Sequence, residues 1–251
     1  MKKNNKNNIK DNHSLMCEET PFAVKESFNL LRTNILYTRS NSEGAPVFAV
    51  TSAGESSGKS TIISNLAYSF ANISKKVILI DGDMRCPVQQ EFFGYEKGVG
   101  GLSEFLSGIV KDWREVIFKT ENSFMDVIPS GHIPPNPSEL LLGSDFSSLI
   151  SELKREYDYI FIDFPPIGVI ADAASVSSCV DGYIFVIRSN VSNSGSVSEA
   201  LSSLESVGAN IVGIVLNDVN YKEGSFGGKY HNTKYGSKYS SKYVRSTESK
   251  K

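Results

Sequence analysis

One nine-residue stretch, AGESSGKST at 53–61, limits what this 251-residue chain can fold into more than any other. An apolar run, PVFAVTS, leads into it, and an amphipathic run, STIISNLAYSFANI, leads out. Strand, tight loop and helix in that order turn several backbone N–H groups inward before a helix N-terminus, a geometry that holds a polyphosphate. Lys59 is then placed to reach the β- and γ-phosphates of a nucleotide, and the Ser60 hydroxyl to ligate Mg2+. Ala53 stands where the strict pattern has glycine, and Gly54 beside it supplies the missing backbone freedom.

The rest of the chain repeats this alternation. Short runs rich in Val, Ile and Phe predict strands over 46–52, 76–81, 125–129, 159–163, 182–188 and 211–217. Amphipathic patterns predict helices over 23–37, 59–73, 138–156 and 194–207. The expected class is α/β, a mostly parallel sheet with helices on both faces. Ligands of such sheets bind outside the carboxyl ends of the strands.

Two carboxylate motifs fall at those ends. VILIDGDMR places Asp81 and Asp83 after the second strand, and YDYIFIDFPP places Asp163 at the end of the fourth. A lone strand-end Asp is as readily a turn former. Three of them downstream of a phosphate loop favour Mg2+ contact, direct or through water. Pro165 and Pro166 stop the strand after Asp163. Arg85 either faces developing phosphate charge or lies at the surface.

Composition excludes several classes. Cys17, Cys86 and Cys179 lie far apart with no CxxC, which gives neither a disulfide framework nor a zinc site and fits a reducing cytosol. The apolar runs VILI and IFVI are too short to span a bilayer, and the Asn/Lys-rich start has no apolar core for a signal peptide. The net charge of −2 divides unevenly: 220–251 carries +6, leaving −8 on the remainder. An acidic body with a basic tail reads as a core domain plus a separate interaction or modification segment. The tail's mixed basic and aromatic residues also suit single-stranded nucleic acid. No RNA-binding module accompanies them, and no nucleic-acid partner is expected.

The phosphate loop, ILIDGDMR and IFIDFPP, with GLSEFL at 101–106 and SGHIPPNPSELLLGSDF at 130–146, resemble the bacterial tyrosine kinases of capsule and exopolysaccharide synthesis, in their cytoplasmic form. The resemblance covers about 26–217. It implies a P-loop nucleotide-hydrolase-like fold and an ATP- and Mg2+-dependent protein-tyrosine kinase. None of the eukaryotic kinase motifs is present. Implied nucleotide contacts are Ala53, Gly54, Glu55, Ser56, Ser57, Gly58, Lys59, Ser60, Thr61 and Asn217. Implied metal contacts are Ser60, Asp83 and Asp163; implied catalytic residues are Lys59, Asp81 and Asp83, with Asp81 accepting the tyrosine proton. Partners implied are a membrane activator of the polysaccharide co-polymerase type, a cognate tyrosine phosphatase, and further copies of the chain in a homo-oligomer or ring. Localisation is then cytoplasmic, at the membrane only through a partner. Phe164 is larger than the small or polar residue the family has there, and either crowds the nucleotide or packs under the loop.

The expected organisation is a flexible segment over 1–22, a kinase domain over 23–219 and a disordered tail over 220–251. The tail holds Tyr221, Tyr230, Tyr235, Tyr239 and Tyr243 among Gly, Ser, Lys and Asn that cannot bury an apolar face. The family uses such a cluster for autophosphorylation. Each phosphotyrosine adds about −1.5 to −2 charge, so five would bring the tail from +6 to roughly −1.5 to −4. In KESFNLLRTNILY the family's pattern for ring contacts is Glu, Arg, Arg, Asn; here Glu26, Arg32 and Asn34 fit it, while Asn29 replaces the first Arg. That removes a charge-assisted pair and weakens the inference of a ring. Phe28, Leu31 and Ile35 would pack this helix on the sheet. Partition and division-site ATPases share the fold, but carry a lysine where this loop has Gly54. A nucleotide-binding adaptor without activity would not need Lys59, Ser60, Asp81, Asp83 and Asp163 together.

Overall fold

Strand and helix alternate through one seven-stranded sheet. The computed structural model describes residues 14–38 and 44–219. The strands are β1 (Val47–Ser52), β2 (Val77–Asp81), β3 (Phe118–Lys119), β4 (Met125–Ile128), β5 (Tyr159–Asp163), β6 (Gly182–Arg188) and β7 (Ile211–Asn217). Their spatial order is β3-β4-β2-β5-β1-β6-β7. All neighbours run parallel except β3, which pairs antiparallel with β4 at the edge. The helices are α1 (Phe22–Leu36), α2 (Lys59–Ala71), α3 (Gln90–Phe93), α4 (Leu102–Leu106), α5 (Pro137–Leu142), α6 (Ser144–Glu156), α7 (Asp172–Ser175) and α8 (Ser194–Ser206). The compact unit that carries the sheet ends at Asn217; of the second, Asp218–Lys251, only Asp218 and Val219 are described.

The five inner strands β1, β2, β4, β5 and β6 read as continuous apolar runs because both of their faces are covered. In β1, Val47 and Ala49 enter one core while Phe48 and Val50 enter the other. Ile78, Ile80 and Ile160 share the first core with Leu149, Ile150 and Leu153 of α6. Leu79 and Phe161 share the second with Ile63, Leu66 and Phe70 of α2, and with Phe28 and Ile35 of α1. Leu31 packs there too, as its helical spacing predicts.

The single helix expected over 138–156 is two. Gly143 is extended (φ −65°, ψ 155°), ending α5 and starting α6. Leu141 and Phe146, either side of it, are both buried in the same core. In one continuous helix those positions would lie about 140° apart and could not both face inward. Strand β3 and the short helices α3, α4 and α7 carry too few residues to show a period. Among the described residues, no helix is long and apolar enough to cross a membrane.

Ser14 and Met16 are tied to α2: the Asn65 side-chain oxygen accepts the Met16 N–H at 2.7 Å and its amide donates to the Ser14 carbonyl at 3.2 Å. On α1, Asn29 donates to Glu26 at 2.9 Å, and Arg32 reaches the Ser69 carbonyl of α2 at 2.8 Å. Tyr221, Tyr230, Tyr235, Tyr239 and Tyr243 lie outside the described residues.

Candidate active site

The loop between β1 and α2 exposes its N–H groups because its carbonyls are engaged elsewhere. The hydroxyls of Ser52 and Ser57 both donate to the Gly54 carbonyl, at 2.7 and 2.8 Å. Arg188 of β6 takes the Ser56 carbonyl at 3.0 Å, and the Asn217 amide takes that of Ser57 at 3.0 Å. Gly58 sits at φ +87°, a left-handed conformation that glycine adopts without strain, and begins α2 with no side-chain cap. The first N–H groups of α2 therefore remain available to an anion.

Gly168 presses on the loop from the other side. A Cβ there would lie 2.2 Å from the Ala53 carbonyl oxygen. Gly168→Ala is expected to displace the loop and weaken ADP binding by at least about tenfold, since a shift of about 1 Å misaligns the phosphate donors. Calorimetric titration with Mg·ADP checks this; unchanged affinity would show that the loop is held without that contact.

A cavity of about 290 Å3 opens in front of the loop, lined by Glu55, Ser56, Gly58, Lys59, Ser60 and Thr61 together with Asp83 and Arg85. Pro165, Pro166, Val169 and Ile170 close its apolar side. Lys59 is 8% exposed. Ala53, Gly54 and Ser57 shape the loop without lining the cavity, and Asn217 stands behind it as a brace.

Beneath the cavity, Asp81 and Asp163 end adjacent strands as register partners, and both are buried. Neither carboxylate oxygen of Asp81 has a hydrogen-bond partner, nor does Oδ1 of Asp163. Burial pushes the Asp81 carboxyl well above the usual range, and repulsion from Asp163 and Asp83 adds to it; the N–H groups of Asp83 and Gln89 oppose the shift without closing a hydrogen bond. Burial raises Asp163 to about 6, against the pull of Lys59 and of hydrogen bonding from Ser60 and Gln89. Such orphaned buried carboxylate oxygens are what a cation would satisfy. Among the described residues no three His, Cys, Asp or Glu side chains form a ready metal cage. Magnesium in phosphoryl-transfer sites is commonly held by one or two protein groups, substrate phosphates and water. The Ser60 hydroxyl with Asp83 and Asp163 fits that donor set.

Asp83 also shapes its own loop, accepting the N–H groups of Arg85 and Cys86 at 3.2 and 2.9 Å. Phe164 packs under the loop: it is fully buried, and a Cβ on Gly82 would fall 2.9 Å from its ring. Gln89 escaped the sequence reading. It is fully buried, receives the Ser64 hydroxyl at 2.6 Å and donates to Asp163 Oδ2 at 2.8 Å, which fixes the carboxylate and leaves Oδ1 open. Arg188 and Asp172 were missed as well, since nothing local marks them. Ser138 lay inside the quoted PPNPSELL segment without an assigned role.

Comparison with known proteins agrees with this geometry. The family model described as an AAA domain matches residues 47–211. Tyrosine-protein kinase CpsD of Streptococcus agalactiae is 37% identical over 204 residues, covering 81% of this chain and 87% of CpsD. Tyrosine-protein kinase wzc of Salmonella typhi is 34% identical over 77% of this chain, which corresponds to only 27% of wzc. Among solved structures, the chimerical protein CapA2B2 superposes with a TM-score of 0.76 at 31% identity, over 83% of this chain and 94% of that one. The kinase domain of Escherichia coli tyrosine kinase ETK gives 0.72 at 32%, covering 80% of each. The septum site-determining protein MinD of Pyrococcus horikoshii, at 23% identity, 0.60 and coverage of 71% and 72%, shares the fold alone. With the phosphate loop, the paired strand-end carboxylates and more than a third of the aligned residues identical to CpsD, the chain belongs to the bacterial tyrosine-protein kinase family, on an AAA-domain fold.

Proposed function

We propose that this protein is an ATP-dependent protein-tyrosine kinase that regulates capsular or extracellular polysaccharide synthesis or export. The observation that carries the reading is the convergence of Lys59, Ser60 and Asp83 on one cavity, with Asp81 and Asp163 stacked beneath it. Lys59 and the open N–H groups of α2 bind the phosphates of ATP. Ser60, Asp83 and Asp163 hold Mg2+, which neutralises phosphate charge when bound. Gln89 keeps Asp163 turned toward that position. The apolar wall at Pro165–Ile170 limits water, which would otherwise compete with tyrosine as the acceptor.

A tyrosine hydroxyl has a pKa of about 10, so orientation by a carboxylate matters more than prior ionisation. Asp81 is that acceptor, its affinity for a proton raised by burial. In the present conformation it is sealed from solvent, so a tyrosine reaches it only when the residues that cover it move. Residues 23–219 form the kinase domain, and the five tail tyrosines are its autophosphorylation sites. A membrane activator brings the chain to the membrane, and a phosphatase resets the tail.

The test is purified chain with Mg2+ and γ-phosphate-labelled ATP, read by phosphotyrosine detection, with and without the cytosolic segment of a co-polymerase-type membrane protein. Phosphotyrosine that increases with the segment supports the reading. ATP turnover with nucleotide-dependent dimerisation and no phosphotyrosine overturns it in favour of a partition-type switch.

A further inference from the structure

Three chain segments far apart in sequence meet at one guanidinium. Arg85 Nε donates to Asp172 Oδ2 at 3.1 Å, and Arg85 Nη2 donates to the Ser138 hydroxyl at 2.8 Å. That hydroxyl in turn donates to Asp172 Oδ1 at 2.5 Å, closing a three-membered ring of hydrogen bonds. The Asp172 side chain is 1% exposed, whereas that of Arg85 is 35% exposed and lines the nucleotide cavity beside Lys59 and Ser60. The supports are themselves fixed. Asp83 pins the Arg85 backbone, and the buried Tyr183 hydroxyl donates at 2.6 Å to the Ala173 carbonyl, next to Asp172.

One edge of the guanidinium, Nε with Nη2, is thus spent on the protein. Its Nη1 nitrogen has no partner among the described residues, and Nη2 has a second N–H. A guanidinium does not lose its charge at any physiological pH, and its fixed fork suits phosphate oxygens. If Asp172 merely needed a counter-ion, a side chain buried away from the cavity would serve as well. Placing the cation at the boundary between a buried carboxylate and an anion cavity aims its free edge at the cavity.

We propose that Arg85 binds the terminal phosphate of a nucleoside triphosphate alongside Lys59, and that Asp172 and Ser138 are positioning residues that hold it there. The identity of the nucleotide as ATP rests on the kinase reading above; the phosphate chemistry does not. Arg85 exchanges no proton in this role. It neutralises charge on the transferring group and holds it in line.

The experiment compares affinities for Mg·ADP and for the Mg complex of a non-hydrolysable ATP analogue, by calorimetry, together with the autophosphorylation rate. The variants are Arg85→Lys, Asp172→Asn, Ser138→Ala and the Arg85→Lys/Asp172→Asn double. Arg85→Lys and Asp172→Asn are each expected to lower the analogue-to-ADP affinity ratio by about tenfold, and Ser138→Ala by roughly threefold, because the terminal phosphate alone loses a charge-assisted hydrogen bond. ADP affinity itself stays within about twofold of the parent, and the double variant is no worse than Arg85→Lys, the signature of residues acting as one unit. A purely structural Asp172 would lower both affinities together or neither, and either result overturns the proposal, as do additive losses in the double variant. Should Asp172→Asn not fold, Ser138→Ala carries the test through the same ratio. If the parent chain makes no phosphotyrosine yet the ratio still falls, the kinase reading fails and the role of Arg85 stands.

Discussion

Asp81→Asn is expected to make the nucleotide-free protein more stable while removing most of its activity. In the parent this carboxyl is sealed from water with no hydrogen-bond partner on either oxygen. Asparagine has nearly the same shape and removes the charge, its desolvation and its repulsion from Asp163 and Asp83. The gain should be about 2–3 kcal/mol, or roughly 5–10 °C in melting temperature for a domain of this size. A carboxyl whose folded pKa is raised stabilises the fold fully below its unfolded pKa, and that contribution is lost as pH rises through the folded value. The metal-free parent should therefore lose stability with rising pH. Asp163 alone accounts for up to about 3 kcal/mol between its ordinary value of 3.8 and about 6. Melting curves from pH 5 to 8, without nucleotide or metal, check both statements. The variant should exceed the parent most at pH 8, and its tyrosine phosphorylation should fall by about 10²-fold or more. A variant less stable than the parent at pH 8 would mean that the carboxylate is satisfied in solution by a group the geometry does not reveal.

Lys59→Met is expected to abolish most phosphoryl transfer, by about 10²–10³-fold, while leaving the fold intact. Lys59 lines the cavity at the start of α2 and is 8% exposed, so its stem is already packed and methionine fills a similar volume. The ammonium is also what draws the Asp163 carboxyl downward against burial. Without it that carboxyl rises above about 6, and Mg2+ affinity near neutral pH should fall as well. Phosphotyrosine yield at saturating Mg·ATP, with far-ultraviolet circular dichroism as a fold control, measures the effect. Near-parental phosphorylation by Lys59→Met would remove this cavity from the chemistry.

Much of the fold was legible because buried parallel strands announce themselves. The strands at 159–163, 182–188 and 211–217 match their predicted bounds; the first two are continuous apolar runs covered on both faces, whereas the third, at the sheet edge, leaves Ile214 and Leu216 exposed. The split at Gly143 was not legible. It depends on Leu141 and Phe146 facing one core, a relation that exists only once α5 and α6 are packed. The loop at 53–61 could be read because its spacing encodes a backbone conformation, whereas Gln89 could not. Its amide matters only because folding brings Ser64 and Asp163 to either side of it.

The sequence by itself determined the strand–loop–helix that holds phosphate, the carboxylates at neighbouring strand ends and the family to which the chain belongs. These are local patterns, in which spacing along the chain dictates spacing in space. The tertiary structure decided which of those groups face the cavity. Strand pairing sets Asp81 against Asp163 below its floor, α2 and the 82–88 loop bring Lys59 and Asp83 to its wall, and Asn217 is drawn behind the phosphate loop. Only packing could join Arg85 to Ser138 and Asp172, 53 and 87 residues away, because a buried carboxylate takes whichever cation the fold delivers to it.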